Sequence, residues 1–528
     1  MVDKPTLFER AAETAGSLVG GTKDQRETIF DFGRPVRGAI RGLARAVEDQ
    51  LSDPAIRKPR YEPEEYVEGA IYGLRKSGES STLKAGAEAK AAAKVFAQKY
   101  PEELPLVNLT LGQPNANPPK SYVENVITRI RDVKNWGYTP VGGDPKILSD
   151  IIAFMQKKLG YPEKIFIGEK EVPIGASILS GAKSVLTAAM QAVVPDGKTD
   201  MVFVTFKSKW VSYSAQIENA GGHEISIDGP PDESEMTEEQ LNEAVEKLKA
   251  LVAKHPDLCL IINYPKNPTG EVNNRFLREV AKIVLENPRA KVIQDSIYFE
   301  DIHEGGQPSE LLEVIEPRIS GRVLTVFGFA KSGANAPGER SAWGTGNKAW
   351  TEEMDKSTSH LHGNPSITLQ LFTGEGVKPL TEECVRDLEE LHNQQIATYT
   401  ANQPILRESF LAMGIQCPDP KAAFYLHVDF AEWLKIGLET QDGNTIKNSE
   451  DVRLLLLENG VATTPGEDFD GKKTTLRLSY ATDTDNVKLA ANRIKKTLGA
   501  LKVKEKNMTV DQWLSHQVGN PNSGVSMA

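Results

Sequence analysis

Three residues whose chemistry depends on placement recur through the middle of the chain: Asn267, Asp295 and Lys331. A lysine amine can condense with an aldehyde or carry a proton, an acid can hold a cationic nitrogen, and an amide can donate to a ligand oxygen. Each lies at or just past the end of a short apolar run. Asn267 sits in Tyr264–Gly270 (YPKNPTG) after Leu258–Asn263 (LCLIIN), where two prolines force the chain to turn. Asp295 closes Lys291–Asp295 (KVIQD), with Tyr298 three residues on, and Lys331 follows Arg322–Gly328 (RVLTVFG). Singly, these are a turn, a helix N-cap and a solvated strand end. Three successive strand ends bearing Asn, Asp with Tyr, and Lys favour one shared site, since functional groups in open α/β sheets collect at the carboxyl ends of strands.

The elements that must position them have a consistent texture. From about 120 to 330, short β-branched runs, including Met201–Phe206 (MVFVTF), alternate with helical patterns such as Thr237–Lys254 and Asn274–Leu285. That alternation predicts an α/β layer with a mostly parallel sheet flanked by helices. Residues 366–502 begin helical and then carry strand-like pieces, Phe424–Phe430 and Thr474–Tyr480, as expected of a smaller α+β domain. Leu83–Tyr100 (LKAGAEAKAAAKVFAQKY) is rich in helix formers, so residues 1–100 read as a helical N-terminal extension. The expected division is 1–100 extension, 101–120 with 366–502 small domain, 121–365 large domain, and 503–528 polar tail.

At 528 residues the chain suits two or three domains. Its net charge of −11 disfavours a protein that tracks nucleic-acid phosphates, and no apolar run is long enough to span a bilayer. The first ten residues mix charges and lead into no apolar core, which argues against a secretory signal. Cys259, Cys384 and Cys417 are scattered and odd in number, so the expectation is a reduced, cytoplasmic protein without a disulfide framework or zinc site. His360 and His362 lack a carboxylate at metal spacing, His223 reads as a turn residue, and no metal is expected. Arg34, Arg37, Arg41 and Arg45 read as a solvated or subunit-facing helix surface.

In order and spacing the strand-end residues resemble the aspartate-aminotransferase superfamily, the fold-type I pyridoxal-phosphate enzymes, over roughly residues 105–500. The intervals of 28 positions from Asn267 to Asp295 and 36 from Asp295 to Lys331 match that family. Leu109–Asn115 (LTLGQPN) looks like the entry loop, with Gly112 approaching the substrate. Gly137–Gly143 (GYTPVGG) looks like the loop whose tyrosine, here Tyr138, reaches a neighbouring subunit's phosphate, which implies a homodimer with shared sites. Gly181–Leu186 (GAKSVL) looks like the phosphate turn, with Gly181, Ala182 and Lys183 offering N–H donors. Ser208–Tyr213 (SKWVSY) places Trp210 where the family stacks a ring on the cofactor, and Arg477 in Thr475–Tyr480 (TLRLSY) falls at the substrate carboxylate position. Three departures stand out. Gly328 replaces a common serine, Arg340 lies one residue further from Lys331 than usual, and Ala423 replaces a common glycine.

The resemblance implies pyridoxal 5'-phosphate bound as an imine on Lys331, which then serves as general base. Asp295 would hold the ring nitrogen's proton, Tyr298 and Asn267 the phenolic oxygen, Trp210 the ring face, and Arg340 the phosphate. Arg477 would select amino acids by their carboxylate. The expected reaction is a ping-pong amino transfer between an L-amino acid and a 2-oxo acid. Another reaction at the amino-acid α-carbon (lyase, decarboxylase, β-elimination or oxidase) uses the same residues, and a non-catalytic ligand sensor is the third reading.

Overall fold

The computed structural model describes residues 81–195, 200–331, 335–361, 363–365, 382–506 and 508–518. The basic run at 34–45, most of the expected N-terminal extension, and His362 lie outside the described residues. Residues 79–528 form one compact unit.

Seven strands form the main sheet: β1 (Ile174–Ser180), β2 (Val202–Phe206), β3 (His223–Ile227), β4 (Cys259–Asn263), β5 (Lys291–Asp295), β6 (Val323–Gly328) and β7 (Ser341–Asn347). Their spatial order is β1-β7-β6-β5-β4-β2-β3, and only β7 runs against the rest. The sheet is thus mostly parallel and flanked by helices, as expected. β1, β3 and β7 escape the apolar-run criterion for plain reasons. β7 reads Ser-Ala-Trp-Gly-Thr-Gly-Asn, and β3 at the sheet edge is only partly buried. The central strands β4, β5 and β6 are almost wholly buried, each with Val, Ile or Leu at its centre, because helices cover both faces.

Local signals fix the flanking helices. Thr237 and Gln240 cap Glu238–Lys254 reciprocally, and the Asn273 side chain accepts from Phe276 N ahead of Asn274–Glu286. Leu241, Leu248, Phe276, Val280 and Val284 then pack with Val204, Leu260 and Val292 of the sheet in one core cluster.

A second sheet lies in the C-terminal part, β8 (Tyr425–Asp429), β9 (Thr464–Pro465) and β10 (Thr475–Ser479), in order β8-β10-β9 and antiparallel throughout. The short strand Val107–Asn108 pairs with Val461–Ala462, so the segment leading to Gly112 runs beside this sheet. Residues from 503 do not simply trail off. Lys502–Val503 pairs with Met508–Thr509, and Val510–Val518 is helical. Val510 is buried in the same core as Leu498 and Leu501, so one apolar anchor in a polar stretch suffices to fix it.

Candidate active site

Register brings the key strand ends side by side. Asn263 at the end of β4 is opposite Asp295 at the end of β5, and Asp295 is opposite Val326 near the end of β6. Beyond β4 the turn folds back, and Asn263 Oδ1 accepts from Asn267 N at 2.9 Å. Asn263 Nδ2 donates to Asp295 O at 2.9 Å, tying two of the three strand ends together. Asn267 is thereby held buried, its Oδ1 3.2 Å from Arg477 Nη1.

Asp295 is 3% exposed and has no cationic partner among the described residues. Tyr213 Oη donates to its Oδ2 at 2.7 Å, and the Ile297 N–H approaches Oδ1 at 3.4 Å. Burial pushes the Asp295 carboxyl up to about 6 despite both donors. A carboxylate in this setting gains most from a cation brought to it.

Lys331 donates from Nζ to Gly112 O, and Nζ lies 5.8 Å from the centre of the Phe424 ring. Burial pushes its ammonium down to about 8; Arg477 and Arg340 act in the same direction and Asp301 opposes them. A half-neutral amine near pH 8 is a nucleophile and a base where an ordinary lysine is neither.

Arg477, on β10, is 1% exposed. Its Nη2 donates to Thr110 O at 2.9 Å, and its guanidinium lies between the Tyr425 ring (4.5 Å) and the Phe469 ring (4.8 Å). No ion pair with a carboxylate is found for it among the described residues. A buried guanidinium held by carbonyls and aromatic faces, with Lys331 close enough to be acidified by it, is built to receive an anion.

The helix Gly181–Val193 opens directly after β1, with Gly181 at φ +79°. A Cβ at Gly181 would collide with the Arg340 guanidinium, so only glycine lets that cation sit over the helix start. Arg340 is itself at φ +64°, and its Nη1 donates to Pro337 O at 2.9 Å. Lys183, its amine pushed down by burial and by Arg340, lies with Nζ 5.4 Å from the centre of the Trp210 ring. Unpaired helix N–H groups, the helix dipole and two cations converge on a place for a phosphate-sized anion.

Tyr298 is buried, its Oη 2.8 Å from Tyr425 Oη. Gly112 has that hydroxyl as nearest neighbour, and a Cβ there would lie 2.5 Å from it. Trp210 packs edge-on to Tyr213 at 5.5 Å. Contacts therefore connect Lys331, Gly112, Tyr298, Asn267 and Arg477, while Gly181, Lys183, Trp210 and Arg340 form the neighbouring anion-facing group. Tyr138 stands apart at 99% exposed.

Tyr213, Tyr425 and Asn263 belong to this network and escaped the reading of the sequence. Tyr213 ends the SKWVSY stretch, one helical turn past Trp210, a spacing that could have flagged it. Tyr425 carries no such signal, because its partners Tyr298, Gly112 and Arg477 lie far away in the chain.

With the geometry in place, comparison with known proteins is informative. Residues 105–494 match the family model described as aminotransferase class I and II. The chain belongs to that family. Class I and II aminotransferases similar to it include the aspartate aminotransferase of Bacillus sp. (strain YM-2), 28% identical over 79% of this chain and 95% of the relative. A bifunctional aspartate aminotransferase and glutamate/aspartate-prephenate aminotransferase of Petunia hybrida is 28% identical over 76% and 78%. The asparagine–oxo-acid transaminase of Streptococcus mutans is 26% identical over 74% and 90%. In fold, the chain resembles the aspartate aminotransferase of Rhizobium meliloti (TM-score 0.65, 22% identity, 81% of this chain, all of that one) and that of Thermus thermophilus with maleate (TM-score 0.64, 22%, same coverage). As a member of this family the chain is a pyridoxal-phosphate-dependent transferase. The residues present fit the cofactor, as the Gly181–Arg340 cradle shows.

One of the three departures gains a physical reason, and a second sits on strained backbone. A side chain at Gly328 would put its Cβ 2.7 Å from Ser341 O and 2.8 Å from Ala342 Cβ, so β6 and β7 are too close there for serine. Ala423 occupies φ +54°, the left-handed region, where its N–H donates to Asp301 O at 2.7 Å and its carbonyl meets His303 Nε2 at 2.7 Å.

Proposed function

We propose that this chain moves an amino group between an L-amino acid and a 2-oxo acid by a two-stage, ping-pong exchange, with pyridoxal 5'-phosphate held on Lys331. The observation that carries the reading is the convergence of a half-buried amine, a buried acid and a buried guanidinium lacking a carboxylate partner among the described residues around the ends of β4, β5 and β6. When bound, the cofactor supplies an electron sink for the substrate's α-carbon.

Each residue then has a task set by its surroundings. Asp295 holds a proton on the ring nitrogen, its charged form favoured by Tyr213 and by the cation it faces. Tyr298 and Asn267 donate to the ring's phenolic oxygen. Trp210 gives a flat apolar face, and the N–H groups of Gly181, Ala182 and Lys183 with Arg340 take the phosphate. Arg477 takes the substrate carboxylate in a bidentate fashion, beside Gly112 in the entry segment. Lys331 Nζ, its ammonium pushed down to about 8 by burial, would hold the proton that leaves the substrate's α-carbon.

Tyr138, exposed on its loop, completes the partner's phosphate site in a homodimer. Cys259, Cys384 and Cys417 are buried and not joined in disulfides, which supports a reduced, cytoplasmic setting. The names of the relatives make aspartate and asparagine the first donors to test.

The test is a half-reaction. Cofactor-loaded protein mixed with one amino acid should lose the visible absorbance of the aldehyde form, release the matching 2-oxo acid in equal amount, and regain the band on addition of a second 2-oxo acid. Release of carbon dioxide, ammonia or peroxide in place of the oxo acid would instead establish another reaction at the same carbon.

A further inference from the structure

Tyr425 touches Arg477, Tyr298 and Gly112 and has no role in the scheme above. Its ring carries the Arg477 guanidinium at 4.5 Å and packs edge-on to Tyr298 at 5.7 Å. Its hydroxyl is 2.8 Å from Tyr298 Oη and is the nearest atom to the face of Gly112, whose carbonyl receives Lys331 Nζ. Tyr425 is 1% exposed, so its hydroxyl needs an internal partner, and Tyr298 Oη supplies one. Both phenols resist ionisation, being raised by burial. Between two neutral hydroxyls one donates and the other accepts.

We propose that Tyr425 is a positioning residue: it donates to Tyr298 Oη, frees the Tyr298 proton for the cofactor, and connects the carboxylate-binding Arg477 to the proton held at Lys331 Nζ. The inference rests on the cofactor reading and adds a residue and a coupling to it. A hydroxyl that accepts one hydrogen bond becomes a stronger donor in the next, so the Tyr425–Tyr298 pair acts as a short cooperative chain. Arg477 sharpens it, because a guanidinium against the Tyr425 ring makes the Tyr425 hydroxyl more acidic and a better donor. The other charged groups bearing on the pair and on Lys331 are Asp301, Asp295 and Arg340. When a carboxylate neutralises Arg477, Tyr425 donates less, Tyr298 donates less, and Lys331 Nζ holds its proton more tightly. Substrate arrival would thus raise the affinity of that nitrogen for a proton in part through Tyr425.

The experiment is a pH titration of the visible absorption band of cofactor-loaded protein in wild type, Tyr425→Phe, Tyr298→Phe and the double variant. Tyr425→Phe keeps the ring under Arg477 and removes only the hydroxyl. Its midpoint should rise by about one pH unit. In the Tyr298→Phe background the same change should add nothing, the signature of action through Tyr298 that a packing role would not give. Addition of maleate should raise the wild-type midpoint by more than that of Tyr425→Phe. A wild-type band with an unmoved Tyr425→Phe midpoint, or equal shifts in both backgrounds, overturns the role of Tyr425 and leaves the cofactor reading intact. A wild type that forms no band with the cofactor overturns both.

Discussion

Two carboxyls lie buried at one sheet: Asp295 ends β5, and Glu313 lies in the short helix Leu312–Ile315 ahead of β6. Burial raises both, to about 6 and about 7, and each accepts from a neighbouring hydroxyl, Tyr213 for Asp295 and Thr325 for Glu313. By burial, partner and perturbed acidity the two are nearly equivalent. They differ in company. Glu313 meets Thr325 in the body of β6 and feels the Tyr161 phenol, both interior groups without a cation. Asp295 sits at a strand tip and is bonded to Asn263, which holds the turn carrying Asn267; Asn267 in turn meets Arg477, whose guanidinium lies over the Tyr425 ring. A perturbed acid alone does not mark a site; several unlike groups converging at strand tips do.

The largest expected effect tests the strand-tip cluster at its centre. Lys331→Ala removes both anchor and base, and kcat should fall by at least about 10⁴-fold. Its melting temperature should stay within about 4 °C of wild type, because the replaced group is a half-buried amine that favours its neutral form. Asp295→Asn and Glu313→Gln then set the two carboxyls against each other. Loss of the charged partner for the ring nitrogen should lower kcat by about 10- to 150-fold, the equivalent of roughly 1.5–3 kcal/mol. Glu313→Gln should leave kcat unchanged and alter stability. The folded-state pKa of Glu313, about 7, lies above its usual 4.5, so the stability it contributes is full below 4.5 and is lost as pH rises through 7. The melting temperature of Glu313→Gln relative to wild type should therefore increase from pH 5 to pH 8. If Glu313→Gln cost as much kcat as Asp295→Asn, the distinction drawn between the two regions would fail.

Arg477→Lys comes next. An ammonium cannot reproduce the planar two-pronged contact or the fit between the Tyr425 and Phe469 rings, so KM for the amino acid should rise by about 10- to 100-fold. Steady-state kinetics over amino-acid concentration check this, with kcat moving less than KM.

The large sheet and the order of its strand-tip residues were legible in the chain because each central strand is built on a short apolar run. Asn267, Asp295 and Lys331 each follow one directly. Arg477 was legible only through a local pattern around β10, since its partners Thr110 and Asn267 lie 367 and 210 positions away. Tyr425 was not legible at all, because its meaning comes from pairings that no local window contains. Gly328 was visible as a departure, but its reason, a close approach of β6 and β7, is a property of the folded chain.

The smallest expected effect concerns the hydroxyls that serve the two acids. Tyr213→Phe removes the donor that lowers the pKa of Asp295, so that carboxyl should take up a proton at higher pH than in wild type. Cofactor affinity depends on the charged form of Asp295 facing the ring nitrogen. Measured by equilibrium binding across pH, the acid-side loss of affinity should begin about one unit higher in Tyr213→Phe. Thr325→Val deprives Glu313 of its donor in the same way, yet Glu313 faces no cofactor, so the acid limb should not move. An equal shift in both variants would mean that the two carboxyls are coupled across the sheet, and Asp295 would lose its separate standing.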